Sequence, residues 1–256
     1  MPPNRSQYAG PPQRRAEALR LFKQACHSKY FQDDDDTALA LLQRVAGFCS
    51  FAHLHYELGE IYYRRGNTRQ AVDQLARARD LDGYWVRMPE PYRRIITELS
   101  AKHDVPLVDM RRVIRDKLGR AVPDGEVFYD HVHFNPDAYM ALEEEILDLL
   151  LKERAAGLEP LPQQIPLPAE WQQRIAVTSA NRAGILAQAM NETRTAAADE
   201  TFMKYPVYMI ARDKLNSIKT DVLPPQGRAF VANELAQLET LIADERQRML
   251  RWTQAP

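Results

Sequence analysis

Between Ala52 and Asp82 the sequence reads AHLHYELGEIYYRRGNTRQAVDQLARARDLD, and this stretch limits the folds open to the chain more than any other. Gly59 and Ala71 are small where two antiparallel helices would approach closely, and Arg64-Arg65-Gly66-Asn67 supplies the turn between them. One such hairpin cannot bury its apolar face alone, so a packed neighbour is expected on each side. The preceding segment, Ala18 to Gly47, fits a degenerate version of the same helix pair. Its period sets in at Ala16, and Ala18, Leu19, Phe22, Ala25 and Cys26 share one face. The acidic run Asp33 to Asp36 is placed to cap the helix that follows, because carboxylates there meet unpaired amides and the positive end of the helix dipole. Four acids in a row lack the alternating oxygen ligands and mid-loop glycine of a calcium loop.

Composition narrows the class. A chain of 256 residues, 45% hydrophobic and 27% charged, has enough apolar residues for a real core. A net charge of −1 advertises neither a nucleic-acid nor a membrane surface, and neither partner is expected. The first residues, MPPNRSQYAGPPQRR, lack the apolar core of a signal peptide, so export is not expected from this sequence. Cys26 and Cys49, without metal-ligand spacing, read as reduced thiols in a cytoplasmic setting. Neither a cofactor nor a metal is expected.

After Asp82 the pattern changes. Pro89 to Asp104 reads as a helix with Ile95, Ile96 and Leu99 inward, Val105 to Met110 as a short buried strand, and MRRVIRDKLG as a helix ending at Gly119. The stretch FYDHVHFNPDAY, Phe128 to Tyr139, leads into the amphipathic segment PDAYMALEEEILDLLLKER. Prolines mark a linker, and three helical segments follow at about 171–192, 205–219 and 226–252. The last carries Leu235, Leu238, Leu241, Ile242 and Leu250 at near-helical spacing, a pattern for packing rather than chemistry. The organisation expected is a disordered start at 1–15, helical repeats at 16–82, a small α/β part at 83–154, a linker at 155–170 and a C-terminal helical region at 171–256. The fold class is mostly α with a small α/β part.

Two resemblances sharpen this. Counting Ala52 as the first position, Leu58 and Gly59 fall at seven and eight and Tyr62 at eleven; Ala71, Leu75 and Ala78 fall at twenty, twenty-four and twenty-seven. This resembles a tetratricopeptide repeat, with His55 where Trp is common and Gly83 where Pro is usual. The blocks VPLVDM and GEVFYDHVHFNPDAYMALEEEI resemble the last sequence block of the SGNH/GDSL hydrolases, in the subgroup with tetratricopeptide repeats inserted before that block. The likeness covers roughly residues 20 to 150, and Ala176 to Met190 is similar to the tail of such proteins less specifically. It implies a partial three-layer α/β element of SGNH type and a catalytic pair, Asp130 and His133. The carboxylate would fix the imidazole tautomer, leaving the other ring nitrogen to take a proton from a serine.

The family's nucleophile lies in a Gly-Asp-Ser block, and none is present. Ser6, Ser28, Ser50, Ser100, Ser179 and Ser217 all lack the strand–Ser–helix setting with adjacent glycine. The resemblance therefore implies half of a Ser-His-Asp ester or acyl hydrolase, inactive alone, with the nucleophile on an upstream polypeptide. Three other readings stand beside it. His131 and His133, two apart, face one side of a strand as metal ligands do, with Asp130 as a third. Asp130 capping a turn while His133 bonds backbone needs no chemistry at all. A non-catalytic interaction scaffold, with a protein partner on the repeats, needs only the helices.

Overall fold

The structure, a computed structural model, describes residues 8–83, 88–123, 127–128, 133–152, 204–216 and 225–255. Among these the chain is mostly helical, and extended pairing includes two isolated antiparallel bridges, Ala9 with Ser50 and Phe128 with Phe134. Backbone contacts divide the chain into two compact units. The first takes residues 1–96, 194–209 and 240–256, the second residues 97–193 and 210–239.

The first unit is built on two helical hairpins, α1 (Arg15–Phe31) with α2 (Asp35–Ala46) and α3 (Ala52–Arg64) with α4 (Thr68–Asp80). As the acidic run suggested, the Asp34 carboxylate accepts the Thr37 amide at 2.9 Å and caps α2. The α3–α4 turn holds Gly66 at φ 72°, a left-handed conformation that favours glycine. Gly59 sits so close to α4 that a Cβ there would lie 2.6 Å from Leu75 Cγ. Ala71 is fully buried on the facing helix. Of the face expected on α1, Ala18, Phe22, Ala25 and Cys26 are in the core, while Leu19 is exposed.

Composition favours disorder over residues 1–15, but residues 8–14 are tied down. Ala9 and Ser50 exchange backbone bonds of 2.8 and 2.7 Å, a 3-10 turn spans Pro12–Arg14, and the Arg14 guanidinium lies 3.5 Å from the Phe48 ring centroid. Sequence-distant segments also join this unit on α1. The ring of Tyr205, in α8 (Lys204–Asn216), stacks on Phe31. At the end of α9 (Pro225–Gln254), Trp252 meets Phe22 edge-on, Thr253 Oγ1 bonds His27 Nδ1 at 3.1 Å, and Lys23 Nζ donates to the Ala255 carbonyl at 3.1 Å. The expected segments 205–219 and 226–252 correspond to α8 and α9. The linker 155–170 and the segment 171–192 lie outside the described residues.

In the second unit α6 (Met110–Leu118) packs on α7 (Pro136–Lys152), and Gly119 at φ 67° closes α6 where the sequence ends that helix. Ile114, Val127 and Ala138 form the core between them, with Met110, Leu118, Phe128 and Phe134 packed around it. Arg112 pairs with Glu145 at 2.5 Å along the rim.

Two expectations are corrected between residues 89 and 110. The helix α5 (Glu90–Lys102) forms, but it buries none of its residues, and Ile95, Ile96 and Leu99 are exposed instead of inward. Val105 to Met110 is not a buried strand: Val105 and Leu107 are exposed, residues 105–109 are in no helix or strand, and Met110 begins α6. The physical reason is that no strand among the described residues offers it an edge to pair with. Instead, Ser100 Oγ donates to the Val105 carbonyl at 2.6 Å and the Ser100 carbonyl accepts the Val105 amide at 3.0 Å, a local turn-like closure onto α5.

Candidate functional site

His133 stands at the threshold of α7, and the residues after it explain why its position is fixed. The Asn135 side chain accepts the Ala138 amide at 2.9 Å, and its carbonyl accepts the Tyr139 amide at 3.0 Å, so Asn135 starts the helix with Pro136 at its first position. The Asn135 amide in turn donates to the Val127 carbonyl at 2.8 Å. Phe128 and Phe134 form an isolated antiparallel bridge, their rings 4.7 Å apart, and Phe134 meets Tyr139 edge-on at 5.7 Å. Val127, inside the Ile114–Ala138 core, anchors the other strand of this closure. His133 is therefore the residue directly before a pinned, core-attached Phe134, and its own side chain is exposed.

Asp130, the expected partner of His133, lies outside the described residues, and so does His131. Neither the catalytic pair nor a His131/His133 metal pair is given a geometry by the described residues. Among those residues no group of three or more His, Cys, Asp or Glu side chains is placed to hold a metal ion. Of the serines, Ser28 Oγ bonds Gln32 Oε1 at 3.1 Å and Ser100 Oγ bonds the Val105 carbonyl, both local contacts.

Ser50 is different. Its Oγ lies 2.6 Å from His55 Nε2, and His55 Nδ1 lies 2.6 Å from Gln74 Oε1. An amide oxygen only accepts, so Nδ1 carries the proton and Nε2 accepts from the serine hydroxyl. Burial holds the His55 pKa below its ordinary value of 6.5, against the opposing Gln74 bond and helped by the charge of Arg77. Burial thus favours neutral His55, with the hydroxyl on one ring nitrogen and the amide on the other. Gln74 supplies no negative charge to stabilise an imidazolium, which a carboxylate in its place would do. The arrangement ties the Ala9–Ser50 bridge to α3 and α4, and we assign it that holding role. Its sequence signal was His55 itself, a polar ring at a position where the tetratricopeptide likeness leads one to expect Trp.

A second buried polar group went unseen in the sequence. Lys29 Nζ pairs with Glu57 Oε2 in the core, and the Tyr30 hydroxyl donates to both Glu57 oxygens at 3.0 Å. Burial and then the Glu57 charge push the Tyr30 pKa well up, and burial does the same to the Cys26 thiol alongside. Lys29, Glu57 and Cys26 are buried between α1 and α3, with Tyr30 half-buried beside them.

Comparison with protein-family models, with curated proteins and with solved structures found no match to this chain. No described helix is long and apolar enough to cross a membrane.

Proposed function

We propose that this chain is the C-terminal part of an SGNH/GDSL-type ester or acyl hydrolase with tetratricopeptide-like repeats, contributing Asp130 and His133 to a Ser-His-Asp site. The observation that carries the reading is the setting of His133: an exposed imidazole directly before the Phe134–Asn135 anchor, within the motif DHVHFN. In this reading His133 is the general base, taking the proton of a serine hydroxyl as its oxygen attacks the ester carbonyl, and then returning it to the leaving alcohol. Asp130 orients the ring and stabilises the imidazolium. The serine belongs to a Gly-Asp-Ser block outside this sequence, in which no serine has that setting.

The pure chain is then inactive. Its turnover of a short-chain p-nitrophenyl ester is expected to match buffer, with and without a His133→Ala change. Steady hydrolysis by the pure chain, abolished in His133→Ala, would show a complete site here and overturn the half-site reading. A second reading, a non-catalytic scaffold, is favoured by the well-packed α1–α4 hairpins, which are complete without any site. The two differ on whether a Gly-Asp-Ser-bearing polypeptide reaches His133.

A further inference from the structure

One face of α1 meets the end of α9 through bonds between residues 226 and 232 positions apart in the sequence. Lys23, His27 and Phe31 recur every four residues and so share that face. Opposite them, in reverse order, stand the Ala255 carbonyl, the Thr253 hydroxyl and the Arg246 guanidinium, which lies 5.3 Å from the Phe31 ring centroid. The two segments are therefore antiparallel, and both belong to the first unit. The Thr253 hydroxyl gives its proton to the Leu250 carbonyl at 2.9 Å, so it accepts from His27, and His27 Nδ1 carries the ring proton. Lys23 is only 7% exposed, its ammonium on the Ala255 carbonyl and 5.5 Å from the Trp252 ring centroid. Lys23 and His27 are thus both donors. They stand where the last carbonyls of a helix lack partners within it and its dipole ends negative.

From this complementarity we infer that the Lys23–Phe31 face of α1 is a docking site for the C-terminal end of an amphipathic helix. Residues 246–255 are a replaceable strap that fills the site until a helix of another protein takes their place. The inference does not depend on the function proposed above. Closing the strap takes an ammonium and an imidazole out of water, and its hydrogen bonds replace bonds to water at little net gain. The hairpin core, with Leu21, Leu42, Leu54 and Ile61 fully buried, is held by α1–α4 themselves. A helix end tied in this way opens before such a core does. The incoming helix must carry what the strap carries. It needs an arginine for the Phe31 ring and, six residues on, an aromatic ring for Phe22 and Lys23. It also needs a hydroxyl acceptor next to that ring for His27, and open terminal carbonyls for Lys23. A second copy of this chain fits less well, because its own segment is held at the higher effective concentration of an intramolecular contact.

The probe is a fluorescein-labelled peptide of residues 240–255, its binding to the full chain followed by anisotropy. Trp252→Ala with Thr253→Val weakens the strap, and this variant is expected to bind the peptide on the order of tenfold more tightly than the unchanged chain does. Adding Lys23→Met is expected to undo that gain, and circular dichroism checks that each variant stays helical. Amide exchange on the unchanged chain needs no variant: residues 249–255 are expected to exchange ahead of α1 and α3. Peptide binding that is absent from the folded strap variant, or indifferent to Lys23→Met, overturns the docking site. Exchange of residues 249–255 only together with α1 overturns the replaceable strap, whether or not the variants fold. Self-association of the strap variant that Lys23→Met abolishes gives the face to a second copy and overturns its assignment to another protein's helix.

Discussion

Glu57 is buried with a single cation beside it, so its replacement separates two quantities that are often confused. Glu57→Gln leaves the Lys29 ammonium in the core facing a neutral amide. Urea unfolding is expected to show a loss of about 3–5 kcal/mol, the cost of an unpaired buried charge. Replacing the whole network, Lys29→Met with Tyr30→Phe and Glu57→Leu, removes charge and partner together and is expected to cost less than about 1 kcal/mol or to stabilise. A triple variant no more stable than Glu57→Gln would contradict this account of the network. His55 supplies a pH dependence. Its pKa is held below 6.5 in the folded chain, so below about pH 6.5 the unfolded chain takes up a proton that the folded chain refuses. Stability contributed by neutral His55 is full above that pH and declines as pH falls through the folded value. His55→Phe removes this titration. The stability difference between the two proteins is expected to be flat above about pH 6.5 and to move in the variant's favour below it, read from urea curves across that range. A difference that stays constant down to pH 5 would show that His55 does not titrate with folding.

At the scale of elements, the α3–α4 crossing is the feature the sequence made most legible, and Gly59 shows why. Alanine at an interior helix position is ordinarily worth ~1 kcal/mol over glycine. Here its methyl would lie 2.6 Å from Leu75 Cγ and 3.2 Å from the Leu75 amide nitrogen, so the two helices must part. Gly59→Ala is therefore expected to destabilise by about 1–3 kcal/mol in urea unfolding, the sign opposite to propensity. Unchanged or increased stability would mean that the helices are not in close contact. Caps and turns were legible for the same local reason: Asp34, Gly66 and Gly119 act within a few residues of themselves. What the sequence did not reveal depends on partners far along the chain. Ser50, His55 and Gln74 converge only once α3 and α4 have packed, and Lys29 meets Glu57 only across α1 and α3. The apolar run Val105–Met110 reads as a strand because periodicity records which side chains need cover, and cannot record whether an edge is there to provide it.

At the scale of the whole chain, the resemblance and the structure bear on different parts of one proposal. The hairpins close their own core, and residues from α8 and the end of α9 seal α1, an arrangement no local pattern announced. Outside the hairpins stand an exposed helix, α5, the stretch 105–109 in no helix or strand, and a histidine directly before Phe134 and α7. Of the candidate site, the sequence singled out both Asp130 and His133; Asp130 lies outside the described residues, and His133 directly precedes the bridged Phe134. The central proposal is that this sequence supplies the base and orienting acid, and that the serine comes from outside it. The measurement that tests it most directly is labelling by a fluorophosphonate probe, with the modified peptide mapped by mass spectrometry, for the chain alone and mixed with the upstream polypeptide. The account predicts no labelled serine in the chain alone, and in the mixture a labelled serine on the partner that vanishes with His133→Ala. Labelling of a serine in this chain, Ser50 in its bond to His55 above all, or no labelling even in a formed complex, would contradict it.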